Sequence, residues 1–593
     1  MVNILMVYPK NPRSFWSYDE ALMIVGKKSM FPPTGLMTIA SMLPKSYDIR
    51  LIDENVSALK DSDYVWADAV LVSGMGIHMQ SMQKVIKRAN ALKKPIMAGG
   101  PLPTQHHDKL DGYAVFFLGE AESGFLDELE LMIKEGFRPE RKIVDKRGQF
   151  KPLSHTLPQR FDLIKNHIND YMAMAVQITR GCPEHCTFCN IGSLYGKQTR
   201  ITATDKILQE FDLLYKMGWR SGVMIVDDNV AGNQEALIPI LERIIDWQKK
   251  HKYPFNFFTQ ASLRIFDNKQ LMESMYQAGF GQVFFGIESP SEDSLKFMGA
   301  QKNIQDRGGS GLSIVEKLRI IAQDYFKTQA GFIIGFDKDP DNIDDMIIKF
   351  VMDARMSVAM VGPLGILPDT ADYQRYASQG RLTKVLYSGD SGRFTRQLSY
   401  VPYDNKGNKI DPSVVTNRVK RVIETVNTPE NYFARTYEYL KHRKRRALSK
   451  MPITPAVVPI VLRSFYHQGI KSNYKKIYWS FLLKVATSRF SDIPDAFNYA
   501  VEGHHIIVIT REMLKVDDLN TKIEHLLSLE EPHPSDWRYK GEQYLKNFKS
   551  GYAALMKKYH NIRVEFRVEV KGIDKLARKY NQLFKNNPNK STA

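Results

Sequence analysis

Gln177-Ile178-Thr179-Arg180-Gly181-Cys182-Pro183-Glu184-His185-Cys186-Thr187-Phe188-Cys189-Asn190 is the stretch on which the reading of this chain turns. Three cysteines at C-x3-C-x2-C spacing occupy a loop directly after an apolar strand candidate, Met172 to Thr179, where their thiolates can converge on one metal centre. Structural zinc and iron–sulfur clusters ordinarily take four protein ligands. The chain has only 3 cysteines, so a cubane bound here would keep one iron open for a substrate or cofactor. A Cys3His zinc site through His185 is the competing reading, but a histidine adjacent to Cys186 is poor geometry for a ligand pair.

Downstream of the cysteines, strand candidates recur at Gly222 to Asp227, Phe255 to Gln260, Gln282 to Glu288, Ala330 to Phe336 and Val358 to Leu367. Amphipathic helical patterns separate them, among them Asp205 to Lys216, Gln234 to Lys250 and Asn342 to Met356. Six βα units in succession predict a complete or partial parallel barrel, with its chemistry at the C-terminal strand ends.

Upstream, Asn3 to Tyr8, Ile49 to Ile52, Ala69 to Ser73, Pro95 to Ala98 and Val115 to Leu118 are short apolar runs, several separated by helix-length stretches. This predicts a doubly wound parallel sheet whose ligand lies beyond the C-terminal strand ends. The loops there, Ser73-Gly74-Met75-Gly76, Gly99-Gly100-Pro101 and Gly119-Glu120-Ala121-Glu122, are rich in glycine. Glycine lets a backbone turn sharply or approach a large flat ligand; plain turns are the simpler alternative. A polar connector is expected from about Glu135 to Pro158.

With 593 residues, 43% hydrophobic and 25% charged, the chain has the composition of an ordinary multidomain globular protein rather than a disordered or collagen-like one. No apolar run approaches the ~18 to 20 residues of a membrane span, and the N-terminal Met1 to Pro9 reads as a strand rather than a leader. Three cysteines within eight residues exclude a disulfide framework. A cytoplasmic protein is expected. The net charge is +18, and Asn431 to Ala593, with 30 basic and 15 acidic residues, supplies nearly all of it. From about Tyr376 the pattern turns to longer helices, with His505 to Thr510 and Arg563 to Val570 as the only strong strand candidates.

The Cys182, Cys186 and Cys189 motif, with aromatic Phe188, resembles that of the radical S-adenosylmethionine (SAM) superfamily. That resemblance implies a [4Fe-4S] cluster on the three cysteines, with the methionine amino and carboxylate groups of SAM on the fourth iron. It further implies SAM contacts at Asp228 after the second barrel strand, at Thr259 and Gln260, at Glu288 after the fourth and at Gly335 after the fifth. The N-terminal domain, with Lys28, Pro32-Pro33, Gly35-Leu36 and its three loops, is similar to the cobalamin-binding radical SAM class. This implies cobalamin contacts at Ser73, Gly74, Met75, Gly99, Gly100, Gly119 and Glu120. Where methionine-synthase-like domains carry Asp-x-His-x-x-Gly, this chain has Asp53-Glu54-Asn55-Val56-Ser57-Ala58. Asn55 cannot replace imidazole as a strong cobalt ligand, so a lower face free of a protein histidine is expected; His78 is the one substitute considered. The C-terminal region, together with Phe15-Trp16-Ser17, Leu43-Pro44 and Trp66-Ala67-Asp68, resembles the subgroup that includes bacterial hopanoid methylases.

The expected architecture is therefore α/β: a Rossmann-like cobalamin-binding domain at 1–135, a linker at 136–164, a partial (β/α)6 TIM-like barrel at 165–375 and a basic, mostly α domain at 376–593. The resemblance implies a cobalamin-dependent radical SAM enzyme, foremost a methyltransferase at an unactivated carbon of a small molecule or lipid. A cyclase, ring-contraction or oxidation enzyme with the same cofactors is the alternative, and a non-catalytic cobalamin or redox sensor binding nucleic acid the third. A flavodoxin- or ferredoxin-type electron donor is implied. The basic run Lys441-His442-Arg443-Lys444-Arg445-Arg446 is either a solvated helix face or a cluster that attracts nucleic acid or anionic lipid; of these partners an anionic membrane is expected ahead of nucleic acid.

Overall fold

A computed structural model describes residues 2–304, 309–385, 397–444, 457–529, 537–560, 562, 570 and 572–584. The chain divides into two compact units, Met1–His505 and Ile506–Ala593.

The first unit opens with six parallel strands: β1 (Asn3–Tyr8), β2 (Asp48–Asp53), β3 (Ala69–Ser73), β4 (Ile96–Gly99), β5 (Val115–Leu118) and β6 (Lys142–Asp145), in the order β2-β1-β3-β4-β5-β6. Successive side chains on a strand point to opposite faces, and both faces of this sheet are covered. Leu5 and Val7 pack with Met82, Val85 and Ile86 on one side, while Ile4 and Met6 pack with Leu36, Phe125 and Leu129 on the other. Burial on both faces is why β1 reads as an unbroken apolar run. The strand order reverses between β1 and β3, so the ligand crevice of the sheet lies beyond Tyr8 and Ser73.

The predicted connector contains the edge strand β6, paired in parallel with β5 at Phe116↔Ile143. Four residues with polar ends, Lys142-Ile143-Val144-Asp145, are short and charged as edge strands often are, and too short to show a period. The first domain therefore extends past residue 135.

A second parallel sheet follows, from β7 (Met174–Val176) through β10 (Gly222–Ile225), β11 (Asn256–Ala261), β12 (Phe280–Glu288) and β13 (Lys327–Ile334) to β14 (Val358–Pro363). These six are hydrogen-bonded in chain order, with registers such as Val223↔Phe257 and Ala330↔Ala359, which is the partial barrel. The first barrel strand is shorter than its apolar run. The buried Asp227 carboxylate accepts the amides of Ile178 and Thr179 at 2.9 and 2.7 Å, taking them out of the ladder. The chain then forms a small antiparallel pair, β8 (Thr179–Arg180) with β9 (Arg200–Ile201), around the cysteine loop.

C-terminal helices pack on this barrel. Pro412–Val426, capped by Asp411 and opened by proline, adds Val415, Val419, Val422 and Val426 to the barrel core. Arg435, buried, donates to the carbonyls of Met356, Val426 and Ser357.

His505 to Thr510 lies within a long helix, Ile493–Ser528, rather than a strand. Its β-branched residues favour extended backbone only weakly, and tertiary contacts decide. His505 Nε2 donates to the Phe15 carbonyl at 2.9 Å and its ring stacks on Tyr18. In the second unit, helices Trp537–His560 and Ile573–Phe584 are joined by Tyr552 stacked on Tyr580 at 4.1 Å. The strand expected at Arg563 to Val570 falls almost wholly outside the described residues.

Candidate functional site

The cysteine loop is shaped from its first residue. Gly181 has φ +91°, and a Cβ there would lie 2.5 Å from the Gln198 carbonyl, so only glycine lets the chain leave β8 in this direction. The amide of Cys182 donates to Gly196, that of Cys189 to Cys186, and that of Thr187 to Met298. All three thiols are unpaired and partly exposed, and all three line one cavity of about 3020 Å³. Burial pushes the Cys186 thiol up to about 12 and Cys189 to about 11, while the Lys302 ammonium opposes the rise. Thiolates in this setting call for a positive centre to hold them ionised.

Among the described residues, no three His, Cys, Asp or Glu side chains gather as closely as a single ion requires, and His185 does not join the thiols. A cubane spreads its thiolates over separate corners, so this donor set suits a [4Fe-4S] cluster better than Cys3His zinc.

Around the thiols stand the residues expected at SAM. Asp228 lines the cavity, and burial pushes its carboxyl up to about 6 despite Arg180. Its neighbour Asp227 is spent on β8, accepting also from the Thr179 hydroxyl at 2.7 Å. Gln260 is exposed into the cavity, whereas Thr259 is buried and donates its hydroxyl to the Ile225 carbonyl at 2.9 Å. Phe188 lines the cavity and meets Phe336 edge-on. Glu288 sits at an irregularity in the β12–β13 register with φ +67°, a strained conformation for a non-glycine residue. Its carboxylate pairs with Lys302 Nζ at 3.2 Å.

Gly335 is displaced from this group. Tyr400 donates its hydroxyl to the Gly335 carbonyl at 2.7 Å, and a Cβ on Gly335 would collide with that hydroxyl. Gly335 therefore packs beneath the C-terminal region instead of facing the cavity.

Two residues on the cavity wall were not legible in the sequence. Lys302 follows Glu288 by 14 positions, and only the folded loop brings them together. Ser262 Oγ is buried without a hydrogen-bond partner, a group available to a polar ligand.

On the cobalamin side, Met75 lines the same cavity, followed by Gly76 and Ile77, with Gln105 and His106 from the helix after β4. Gln105 Nε2 is buried without a partner, and a corrinoid rim of carboxamides supplies acceptors for it. The remaining predicted contacts build the turns beneath. A Cβ on Gly100 would meet Ser73 Oγ at 2.6 Å, and one on Gly74 would meet the His78 ring. Gly99 ends β4 below them. Gly119, at φ +101°, passes against the Lys146 backbone. Glu120 is buried and bound by Arg200 at 2.5 Å, and Glu122 pairs with Arg180 at 3.0 Å.

His78 is withdrawn as a cobalt ligand. Fully buried, it accepts the Met75 amide at Nδ1, which leaves the proton on Nε2 to donate to Asn11 Oδ1 at 2.6 Å. Asn55 is likewise engaged, donating to Asp53 at 2.7 Å and accepting from the Asn11 amide at 2.8 Å. Neither side chain is free to face a metal.

A parallel barrel with a three-cysteine loop, sharing one cavity with the switch point of a doubly wound sheet, defines a radical SAM enzyme joined to a corrinoid-binding domain. Family models agree: the radical SAM superfamily matches residues 176–350, the B12 binding domain 24–127 and a domain of unknown function, DUF4070, 370–518. The chain is 33% identical over 485 residues to an uncharacterized methyltransferase of Synechocystis sp., covering 80% of this chain and 86% of that one. It is 28% identical to the hopanoid C-2 methylase of Rhodopseudomonas palustris, covering 86% and 94%. Among solved structures, the cobalamin-dependent SAM radical enzyme OxsB with aqua-cobalamin and SAM bound shares the fold, at TM-score 0.51 and 13% identity over 94% of this chain and 84% of that one. The chain belongs to the cobalamin-binding radical SAM family, in the group carrying the DUF4070 region, and its cofactors are a [4Fe-4S] cluster, SAM and cobalamin.

Proposed function

We propose that the protein methylates an unactivated carbon of a lipid-like substrate. The observation that carries this reading is the single cavity of about 3020 Å³ that holds both the cysteine loop and the Met75–Ile77 turn. Small-molecule pockets are usually about 300–1,000 Å³. A space several times larger accommodates two cofactors and a bulky substrate side by side. Its walls are largely apolar, with Phe258 and Phe284 of the barrel strands meeting Phe31 and Trp16 of the N-terminal segment, which suits a polycyclic or chain lipid.

When bound, the cluster would supply the electron for reductive SAM cleavage and the corrinoid would serve as methyl carrier. The chain's own residues hold and orient. Cys182, Cys186 and Cys189 ligate the cluster; Asp228, Gln260, Ser262 and Glu288 face the polar parts of SAM, and Phe188 its apolar side. Lys302 neutralises Glu288 and lowers the cost of charge among the thiolates. Met75, Gln105 and His106 would meet the corrinoid, and His78 stays out of reach of it behind its own hydrogen bonds. Free thiols suit the reducing cytoplasm, where a flavodoxin or ferredoxin delivers electrons, and the basic C-terminal region suits contact with an anionic membrane.

The test is product analysis of the anaerobically reconstituted protein with polycyclic lipids and a reductant. 5′-Deoxyadenosine and S-adenosylhomocysteine in comparable amounts, with a methylated lipid, are expected. Deoxyadenosine without S-adenosylhomocysteine would move the chemistry to cyclisation or oxidation.

A further inference from the structure

The helix Val457–Ser464 is apolar on two opposite faces. Val457, Ile460 and Val461 line the cavity. Val458, 55% exposed, and Leu462, 60% exposed, stand in solvent on the other side, and the stripe continues at four-residue spacing through Tyr466 and Ile470 in the wider π-helical turn Phe465–Lys471. The helix Lys475–Ser488 packs back on this segment, Trp479 donating its indole N–H to the Gly469 carbonyl at 3.0 Å, and adds exposed Trp479 and Leu483. Phe490, just beyond it, is 78% exposed and borders the cavity. A surface helix normally turns one apolar stripe to the core and a polar face to water; an extended apolar stripe left in water marks a surface that meets something else.

Charge identifies what that is. Between Glu438 and Asp492 the sequence holds Lys and Arg at twelve positions and neither Asp nor Glu at any. Lys471, Lys475, Lys476 and Lys484 are exposed on the same hairpin. Aromatic and aliphatic residues fringed by lysines are what an anionic bilayer surface accepts: side chains among the acyl chains, ammonium groups among the phosphates. Two copies of the chain meeting on this face would instead oppose like charges.

We propose that the Val457–Ser488 hairpin docks on an anionic lipid bilayer and that an apolar substrate passes from the bilayer along the inner face of Val457–Ser464 into the cavity. This rests on the reading of the substrate as a lipid. One helix then serves both sides: its outer stripe holds the membrane, and its inner face is cavity wall, so a lipid need not cross water.

The test is flotation of the cofactor-loaded full chain with phosphatidylcholine vesicles, with and without phosphatidylglycerol. Binding to the anionic vesicles is expected, weakening as salt rises from about 0.1 to about 0.5 M. The double variant Leu462→Glu/Ile470→Glu, at exposed positions off the cavity wall, is expected to lower binding by about tenfold or more, with iron content, corrinoid content and reductive SAM cleavage unchanged. Lys475→Glu/Lys476→Glu should also lower it and flatten the salt dependence. No binding by the unsubstituted chain, unchanged binding by the Leu462/Ile470 variant, or a dimer that this variant dissociates would each overturn the proposal. Flotation needs no turnover, so its failure leaves the methyl-transfer reading standing, and vesicle binding without a methylated product removes that reading and the substrate route with it but leaves the docking.

Discussion

Arg200 grips the buried Glu120 carboxylate with its two terminal nitrogens, at 2.5 and 2.8 Å, and the same two nitrogens donate to the carbonyls of Tyr195 and Lys151. Glu120 follows β5 of the first sheet, and Arg200 lies on β9, the strand that closes the cysteine loop. Beside them Arg180, two residues before Cys182, holds Glu122. These two pairs set the spacing between the corrinoid domain and the cluster loop, and the bidentate Arg200–Glu120 fork adds direction as well as strength.

Replacing Arg200 by Ala leaves Glu120 buried with Arg180 as its remaining cation. We expect a loss of about 2–4 kcal/mol in unfolding free energy. Methyl transfer should fall by about tenfold or more while SAM cleavage persists, because misplacement by a fraction of an ångström acts on the step between cofactors. Equal losses in both products would show that the pair only stabilises the fold.

Removing one thiol separates the two cofactors. Cys186→Ala should lower iron from about four per chain to near zero and abolish reductive SAM cleavage, while corrinoid content, held by the first domain, stays near one. Metal analysis and the corrinoid absorbance check both; a variant that keeps iron and cleaves SAM removes the cluster assignment.

Lys302 and Glu288 are a mostly buried pair, with side chains 13% and 12% exposed. Lys302→Met leaves a carboxylate uncompensated and should cost about 3–5 kcal/mol in urea unfolding. Adding Glu288→Gln should recover most of that stability but not SAM cleavage, since Glu288 faces the cavity. Recovery of both would reduce Glu288 to a packing role.

The barrel, the cysteine loop and its order after the doubly wound sheet were legible because they rest on local signals: apolar runs of strand length and ligands within eight residues. What was hidden depends on convergence. Ser262 and Gln105 are ordinary polar residues until folding buries them against the cavity without partners. Gly335 had the position of a ligand contact, but Tyr400, 65 residues later, covers it. Glycine in a loop reads alike as ligand approach or as turn, and no local pattern separates the two. β6 had too few residues to carry a period, and the helix through His505 was decided by contacts with Phe15 and Tyr18 that no local pattern contains.

His78 yields a prediction with a definite sign. Burial lowers its imidazole from the ordinary 6.5 to about 4, so between those values the unfolded chain binds a proton that the folded chain refuses. Stability therefore rises with pH across that window and is lost as pH falls through it. A shift of this size is worth about 3 kcal/mol. Unfolding measured from about pH 7 to about pH 4 should show this slope, and His78→Asn should flatten it while lowering stability at pH 7 through the lost bond to the Met75 amide. The Co(II) electron paramagnetic resonance spectrum of the corrinoid-loaded protein should be the same with and without His78. Nitrogen splitting that vanishes in the variant would make His78 the lower ligand, and the two hydrogen bonds that now occupy its ring would have to break on cobalamin binding.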